Sequence, residues 1–149
     1  MDSNETQFAV QMTRDAIGQK VFPVHRLDKP TSGVLLFALS SEVARLLQEQ
    51  FQDYTFENKP IEKEYLALVR GWPKHQQWII DNPLKYHVDK LSEPDKEEGK
   101  IQEAETHFES LQTATIHKPV GRYDSARYAL VNAIPKTGRK HQIRRHLNH

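Results

Sequence analysis

Apolar positions recur along the chain with two different periods. Between Asn4 and Ile17, Phe8, Met12, Ala16 and Ile17 fall at near-helical spacing, and Gly18 stands where a helix C-cap belongs. After Val21–Val24 the Lys-Pro-Thr-Ser-Gly segment signals a turn, and the apolar run Val34–Leu39 is short enough to predict a buried strand. Ser40 and Ser41 can cap a helix reaching Phe51, with Val43, Leu46, Leu47, Gln50 and Phe51 as its stripe. From Ile61 to Arg70 the period changes to two. Ile61, Lys63, Tyr65, Ala67 and Val69 then share one face of a strand that Gly71 ends. Ala104–Leu111 and Arg127–Ile134 read as two more strands, the second closed by Pro135. Thr137 is placed to cap a final helix, Gly138–Leu147, in which Ile143 and Leu147 stand four apart. Strands and helices mix without regular βαβ alternation. The expected class is therefore α+β, with a mixed, mainly antiparallel sheet and flanking helices. Neither an internal repeat nor a linker interrupts the 149 residues, so one domain over 1–149 is expected.

Composition narrows the class. Hydrophobic residues make up 37% of the chain and charged residues 28%, which implies a modest core and a strongly ionic surface or cleft. There is no cysteine, which excludes disulfides, thiolate zinc sites, iron–sulfur clusters and thiol nucleophiles. No run approaches the roughly 20 apolar residues of a membrane helix, and the first residues lack the basic and apolar segments of a secretory signal. A soluble cytoplasmic protein is expected.

The formal charge of +1 conceals a segregation. Asp89–Glu109 holds eight acids against three lysines, and its Asp89–Glu98 portion, with Pro94, reads as an exposed loop. From Lys136 onward come Lys136, Arg139, Lys140, Arg144 and Arg145, with His141, His146 and His149 and no acid. Such a cluster creates the local positive potential that attracts phosphate, although a merely solvated helix face has the same composition.

Three segments invite a chemical reading. In His25-Arg26-Leu27-Asp28-Lys29-Pro30-Thr31-Ser32-Gly33 a carboxylate lies between cations on a loop. Nearby positive charge keeps an aspartate ionised, which suits a nucleophile better than an acid, though turn aspartates satisfied by their own backbone are commoner. In Lys63-Glu64-Tyr65 the tyrosine shares the apolar strand face, where a tethered core tyrosine is the ordinary arrangement. In Thr137-Gly138-Arg139-Lys140-His141-Gln142-Ile143-Arg144-Arg145-His146-Leu147, helical spacing would let Arg144 point inward beside Ile143 and Leu147. A buried arginine needs a carboxylate, and a bidentate pair with an aspartate is the simplest solution. His141 and His146 lack the neighbours of a metal site. No glycine-rich phosphate loop, dinucleotide fingerprint or serine elbow occurs.

Taken in order, H-R-L-D-x-x-T-S-G at His25–Gly33, K-x-Y at Lys63–Tyr65 and T-G-R-x-H-Q-I-R-x-H-L at Thr137–Leu147 resemble the motifs of RluA-type pseudouridine synthases. The likeness extends from about Met12 to the end and is strongest to members that act on tRNA. It implies that Asp28 is the catalytic aspartate, Tyr65 the tyrosine stacking on the target base, and Arg144 the arginine that ion-pairs with the aspartate. Arg26 would enter the RNA stack where the base has left, and Ile143 and Leu27 would line the pocket. His25, Lys29, Arg139, Lys140 and Arg145 join Arg26 as expected RNA contacts. The implied reaction isomerises a specific uridine, position 65 of a tRNA, to pseudouridine without metal or cofactor, by a monomer. A ribosomal RNA substrate and a non-catalytic RNA-binding module are the alternatives. Family members begin with a strand carrying K-P-x-G and continue past this helix into H-P-I-x-G-D. The chain is therefore expected to be a partial version of the family domain.

Overall fold

The computed structural model describes residues 8–51, 61–86 and 99–148. The predicted helix start at Asn4–Gln7 and the acidic segment Asp89–Glu98 lie outside them. The chain divides into two compact units, Met1–Ile61 and Glu62–His149.

The first unit opens with α1, Ala9–Ile17, which ends as expected at Gly18. Glycine adopts φ 70° there, and its N–H closes the last turn on the Arg14 carbonyl at 2.9 Å. None of its residues is buried, so the apolar spacing gives a helix but no core. β1 (Phe22–Pro23) pairs antiparallel with β2 (Phe37–Ala38), and α2 runs from Ser41 to Phe51. Ser40 caps α2 as predicted, its Oγ accepting the Val43 N–H at 3.2 Å. Val24, Ala38 and Ala44 form a small core, with Phe22, Leu47 and Phe51 packed against it.

Two expectations fail here. The run Val34–Leu39 contributes only a two-residue strand, and Val34, Leu36 and Leu39 are exposed. The partner strand is equally short and carries Pro23, which has no N–H to extend the ladder. On α2, Val43 and Leu46 are also exposed, because the covered side passes through Ala44, Leu47 and Phe51.

The second unit is built on an antiparallel sheet of four strands in the order β3 (Tyr65–Arg70), β8 (Ala126–Pro135), β7 (Glu105–Ile116) and β4 (Gln77–Asp81). β3 alternates as the sequence predicts, with Tyr65, Ala67 and Val69 half-buried and Leu66, Leu68 and Arg70 exposed. β7 and β8 outrun the predicted strands and share a bulge between Ser110 and Gln112, which leaves Leu111 unpaired. β4 escapes the sequence reading because Trp78-Ile79-Ile80 has no alternation. Trp78 and Ile80 meet the core while Ile79 is exposed. β5 (Leu84–Lys85) and β6 (Ile101–Gln102) form a separate two-stranded ladder.

The core of this unit is Phe108, Ala129, Val131 and Ala133, with Tyr65, Val69, Trp78 and Ile80 from the sheet around it. Trp78 stacks on Phe108 with ring centroids 5.1 Å apart. The last helix, α3, spans Gln142–Leu147 and adds Ile143 and Leu147 to the same cluster. It starts four residues later than expected. Thr137 does not cap it, and His141 stands at the cap in the left-handed region at φ 55°.

Candidate active site

The loop bearing Asp28 is held from within. The Thr31 N–H donates to the Asp28 carbonyl at 2.8 Å, closing a turn over Lys29 and Pro30. Gly33, at φ 143°, supplies a conformation that side chains rarely adopt. His25 fastens the two ends of the loop. Its Nε2 accepts the Leu36 N–H at 3.0 Å, which assigns the neutral ring proton to Nδ1, and its ring stacks on Phe51 at 4.5 Å. Asp28 and Leu27 are half-buried, while Arg26 and Lys29 are exposed. The predicted carboxylate is thus carried on an ordered turn between two exposed cations in the sequence. His25, expected among the RNA contacts, also serves as the loop's internal brace.

Tyr65 begins β3, pairs in register with Ala133, and packs its ring against the core. It is half-buried.

The third segment is organised by a buried polar chain (Thr137, Gln142, Thr106 and His146) that the sequence reading missed. Gln142, Thr106 and His146 are all buried, with Thr106 at 0% and His146 at 1% exposure. Such groups are tolerable only if each donor meets an acceptor. Here they do. The Glu105 N–H donates to Thr137 Oγ1 at 3.1 Å, and that hydroxyl donates to Gln142 Oε1 at 2.8 Å. Gln142 Oε1 also accepts the Arg139 N–H at 2.9 Å. Gln142 Nε2 donates to the Glu105 carbonyl and to Thr106 Oγ1, both at 2.9 Å. Thr106 Oγ1 lies 3.0 Å from His146 Nδ1, and His146 Nε2 lies 3.1 Å from the Asn82 carbonyl. Facing a carbonyl, Nε2 carries a proton, and Nδ1 meets the Thr106 hydroxyl. Among the described residues no buried side-chain nitrogen or oxygen lacks a partner.

This chain ties α3 and the turn before it to β7 and to the residue following β4. It also fixes which side of the helix faces inward. Gln142, Ile143, His146 and Leu147 form the covered stripe, and Arg144, two positions past Gln142, is exposed. The expectation that Arg144 points inward beside Ile143 and Leu147 is therefore wrong. Its Nη2 lies 3.1 Å from His141 Nδ1 on the open side, and His141 is the only non-glycine with positive φ among the described residues.

Arg139 donates from Nε to the Glu103 carbonyl at 2.8 Å. Lys140 is exposed and Arg145 half-buried. The signal for the buried chain was present in the sequence as Gln142 and His146, four apart on a helix beside two apolar residues. Read only for metal-ligand spacing, His146 carried no meaning.

Asp28 belongs to the first unit, and Tyr65 and Arg144 to the second. Each of these predicted site residues stands on an element held by its own hydrogen bonds or packing. Comparison with known proteins gives this arrangement its context. The family model described as RNA pseudouridylate synthase matches residues 2–149.

The chain belongs to the RNA pseudouridylate synthase family.

Within that family it is similar to the tRNA pseudouridine synthase C of Haemophilus influenzae, with 53% identity over 150 residues that cover all of this chain and 60% of the relative. The protein of the same name from Pasteurella multocida is 51% identical over all of this chain and 59% of its own length. That from Vibrio cholerae is 44% identical, with the same coverage of both chains. The chain thus spans about 60% of the length of these curated relatives. Among solved structures, human RNA pseudouridylate synthase domain containing 1 superposes with a TM-score of 0.64 over 91% of this chain and 53% of that one, at 23% identity. That likeness speaks to the fold, and the α+β class with a mainly antiparallel sheet stands as expected.

Proposed function

We propose that this chain carries the catalytic segments of a tRNA pseudouridine synthase, with Asp28, Tyr65 and Arg144 as the residues that act on the target nucleotide. The observation that supports this most is the 53% identity with a relative named tRNA pseudouridine synthase C, extending over the whole chain and all three motifs. Uridine and pseudouridine are isomers. The C–N glycosidic bond breaks, the uracil turns, and a C–C bond forms to the same sugar. No atom or electron is gained or lost, so the residues themselves can suffice.

Asp28 supplies the carboxylate, either attacking the nucleotide or removing a sugar proton. Its turn is closed through its own carbonyl, which accepts the Thr31 N–H. Tyr65 offers a ring on which a base taken out of the RNA stack can rest, offsetting part of the few kcal/mol that extrusion costs. Arg144 supplies the positive charge that the family resemblance assigns to its position. Arg26, Lys29, Lys140 and Arg145 provide phosphate or stacking contacts, Arg139 and His25 contribute beside their internal bonds, and Leu27 and Ile143 border the base. In this reading the two units form one catalytic domain, acting on tRNA as a monomer in the cytoplasm. Among the described residues no helix is long and apolar enough to cross a membrane.

The test is tritium release from tRNA that lacks pseudouridine and carries [5-³H]uridine. Release is expected from the unaltered protein and not from Asp28→Asn, while tRNA binding survives the change. Undiminished turnover in Asp28→Asn would overturn the proposal. Turnover on ribosomal RNA transcripts alone would keep the chemistry and replace the substrate.

A further inference from the structure

At the end of the sheet remote from α3, an aromatic ring is fixed but left open. β3 stops at Arg70, and Gly71, at φ 103°, adds one more bond by donating its N–H to the Arg127 carbonyl at 2.8 Å. Trp72 follows. Its indole N–H reaches past β8 to the Ala114 carbonyl of β7 at 3.3 Å, and the Arg127 guanidinium lies 5.3 Å from its ring centroid. A tryptophan held by strands on either side of β8, with its polar atom satisfied, would ordinarily be covered. Trp72 is 49% exposed.

The same arrangement recurs in the β7–β8 connection. The Arg122 guanidinium sits 5.1 Å over the Tyr123 ring and donates to its hydroxyl at 3.0 Å, and Tyr123 is 52% exposed. Arg70 and Lys118 add charge, whereas residues 65–76 contain no acid and residues 110–127 only Asp124. Open aromatic rings flanked by arginines, in a setting almost free of acids, match unpaired nucleobases linked by phosphates better than they match a peptide or an apolar partner.

Placement strengthens the case. By strand alternation Arg127 shares the face of Ala129 and Val131, where Tyr65 also packs. Tyr65 is paired with Ala133, six residues from Arg127 along β8. At 3.3–3.4 Å per residue the two positions stand roughly 20 Å apart along the sheet.

We propose that Trp72 and Arg127, with Arg122 and Tyr123 beside them, form a second RNA-contact surface that stacks an unpaired base of the substrate away from the target uridine. The proposal rests on the synthase reading above. It extends that reading to a binding element outside all three motifs.

The experiment measures tRNA affinity and its salt dependence together with Asp28-dependent tritium release, for the full chain and for Trp72→Ala, Trp72→Phe and Arg127→Gln. Circular dichroism confirms that each variant is folded. Trp72→Ala is expected to bind tRNA about 5- to 150-fold more weakly, the range that loss of one base–aromatic stack produces. Trp72→Phe, which keeps a ring, recovers most of that loss. Arg127→Gln lowers the salt slope by roughly 0.7–0.9, as expected when one phosphate contact is removed. Addition of tRNA quenches the indole fluorescence of the unaltered chain, and Trp72→Phe removes most of that quench. Wild-type affinity in folded Trp72→Ala and Arg127→Gln, with tritium release intact, would overturn the surface and leave the synthase standing. Weakened binding in those variants, with no release from the unaltered chain, would keep the surface and overturn the synthase. Poor quenching of Trp72 by iodide in the free protein, with unchanged RNA affinity, would show the face to be covered by polypeptide.

Discussion

The two ends of the β3–β8–β7–β4 sheet use polar atoms in opposite ways. At the α3 end, Thr137, Gln142, Thr106 and His146 spend their donors and acceptors on one another and on backbone, the last three of them buried. At the far end, Trp72 commits its one N–H to backbone and leaves half its surface open beside Arg127. The first arrangement fixes geometry. A satisfied buried network specifies one position for the helix that carries Arg144, because any shift leaves a buried group without its partner. The second arrangement supplies adhesion, since a ring and a guanidinium still facing solvent can exchange water for a ligand.

This contrast breaks most sharply at His146. Replacing it with alanine opens a cavity and leaves the Thr106 hydroxyl and the Asn82 carbonyl unmatched. Chemical denaturation should show about 3–5 kcal/mol of lost stability. Thr106→Val keeps the shape but removes the hydroxyl that links Gln142 to His146, for an expected loss of about 1–3 kcal/mol, and Thr106→Ser should restore most of it. If the network positions Arg144, Thr106→Val also lowers single-turnover isomerisation by a larger factor than it lowers tRNA affinity. Equal loss in both would mean that the network serves folding alone. At the other end the ranking reverses. Trp72→Phe should change the denaturation midpoint little, because the indole is half-solvated, and a loss comparable to that of His146→Ala would show that Trp72 is structural.

The smallest effect belongs to Arg14 and Asp15 on α1, two exposed side chains that pair at 2.8 Å. Arg14 holds the Asp15 carboxyl below its ordinary range, chiefly through their hydrogen bond. A lowered folded-state pKa contributes stability above the unfolded carboxylate pKa and loses it as pH falls through the folded value. Asp15→Asn should therefore shift the midpoint barely at pH 7 and not at all at pH 2.

The sequence was most legible where one rule decided the outcome. Gly18 and Ser40 capped their helices, and β3 alternated in and out, because each depends on nearest neighbours. The three motif segments were legible as a family resemblance for the same reason. Long-range pairing was not. β4 is a strand because β7 accepts it, and Trp-Ile-Ile alone has no period. Val34–Leu39 is apolar enough for a buried strand, yet its ladder stops after two residues. Arg144 was misplaced because it neighbours Ile143 and precedes Leu147 by three, and that spacing does not say which flank of the apolar pair is covered. The helix begins at Gln142, and the polar pair Gln142 and His146, not the arginine, turned out to face inward.

The bulge at Leu111 has a consequence for how this hairpin can vary between relatives. Before it, Thr106, Phe108 and Ser110 face inward. Beyond it, Thr113 pairs with Ala129 and Thr115 with Arg127. One extra residue has shifted the phase of the outer half. Deleting Leu111 would remove the bulge and let Gln112 follow Ser110 in an unbroken ladder, so that Gln112 still meets Leu130 and Ala114 still meets Tyr128, with only the local bend and twist lost. Nothing before Ser110 would change its pairing. Loss of this one residue can thus be absorbed at the bulge while both ends of the hairpin inherit their register intact.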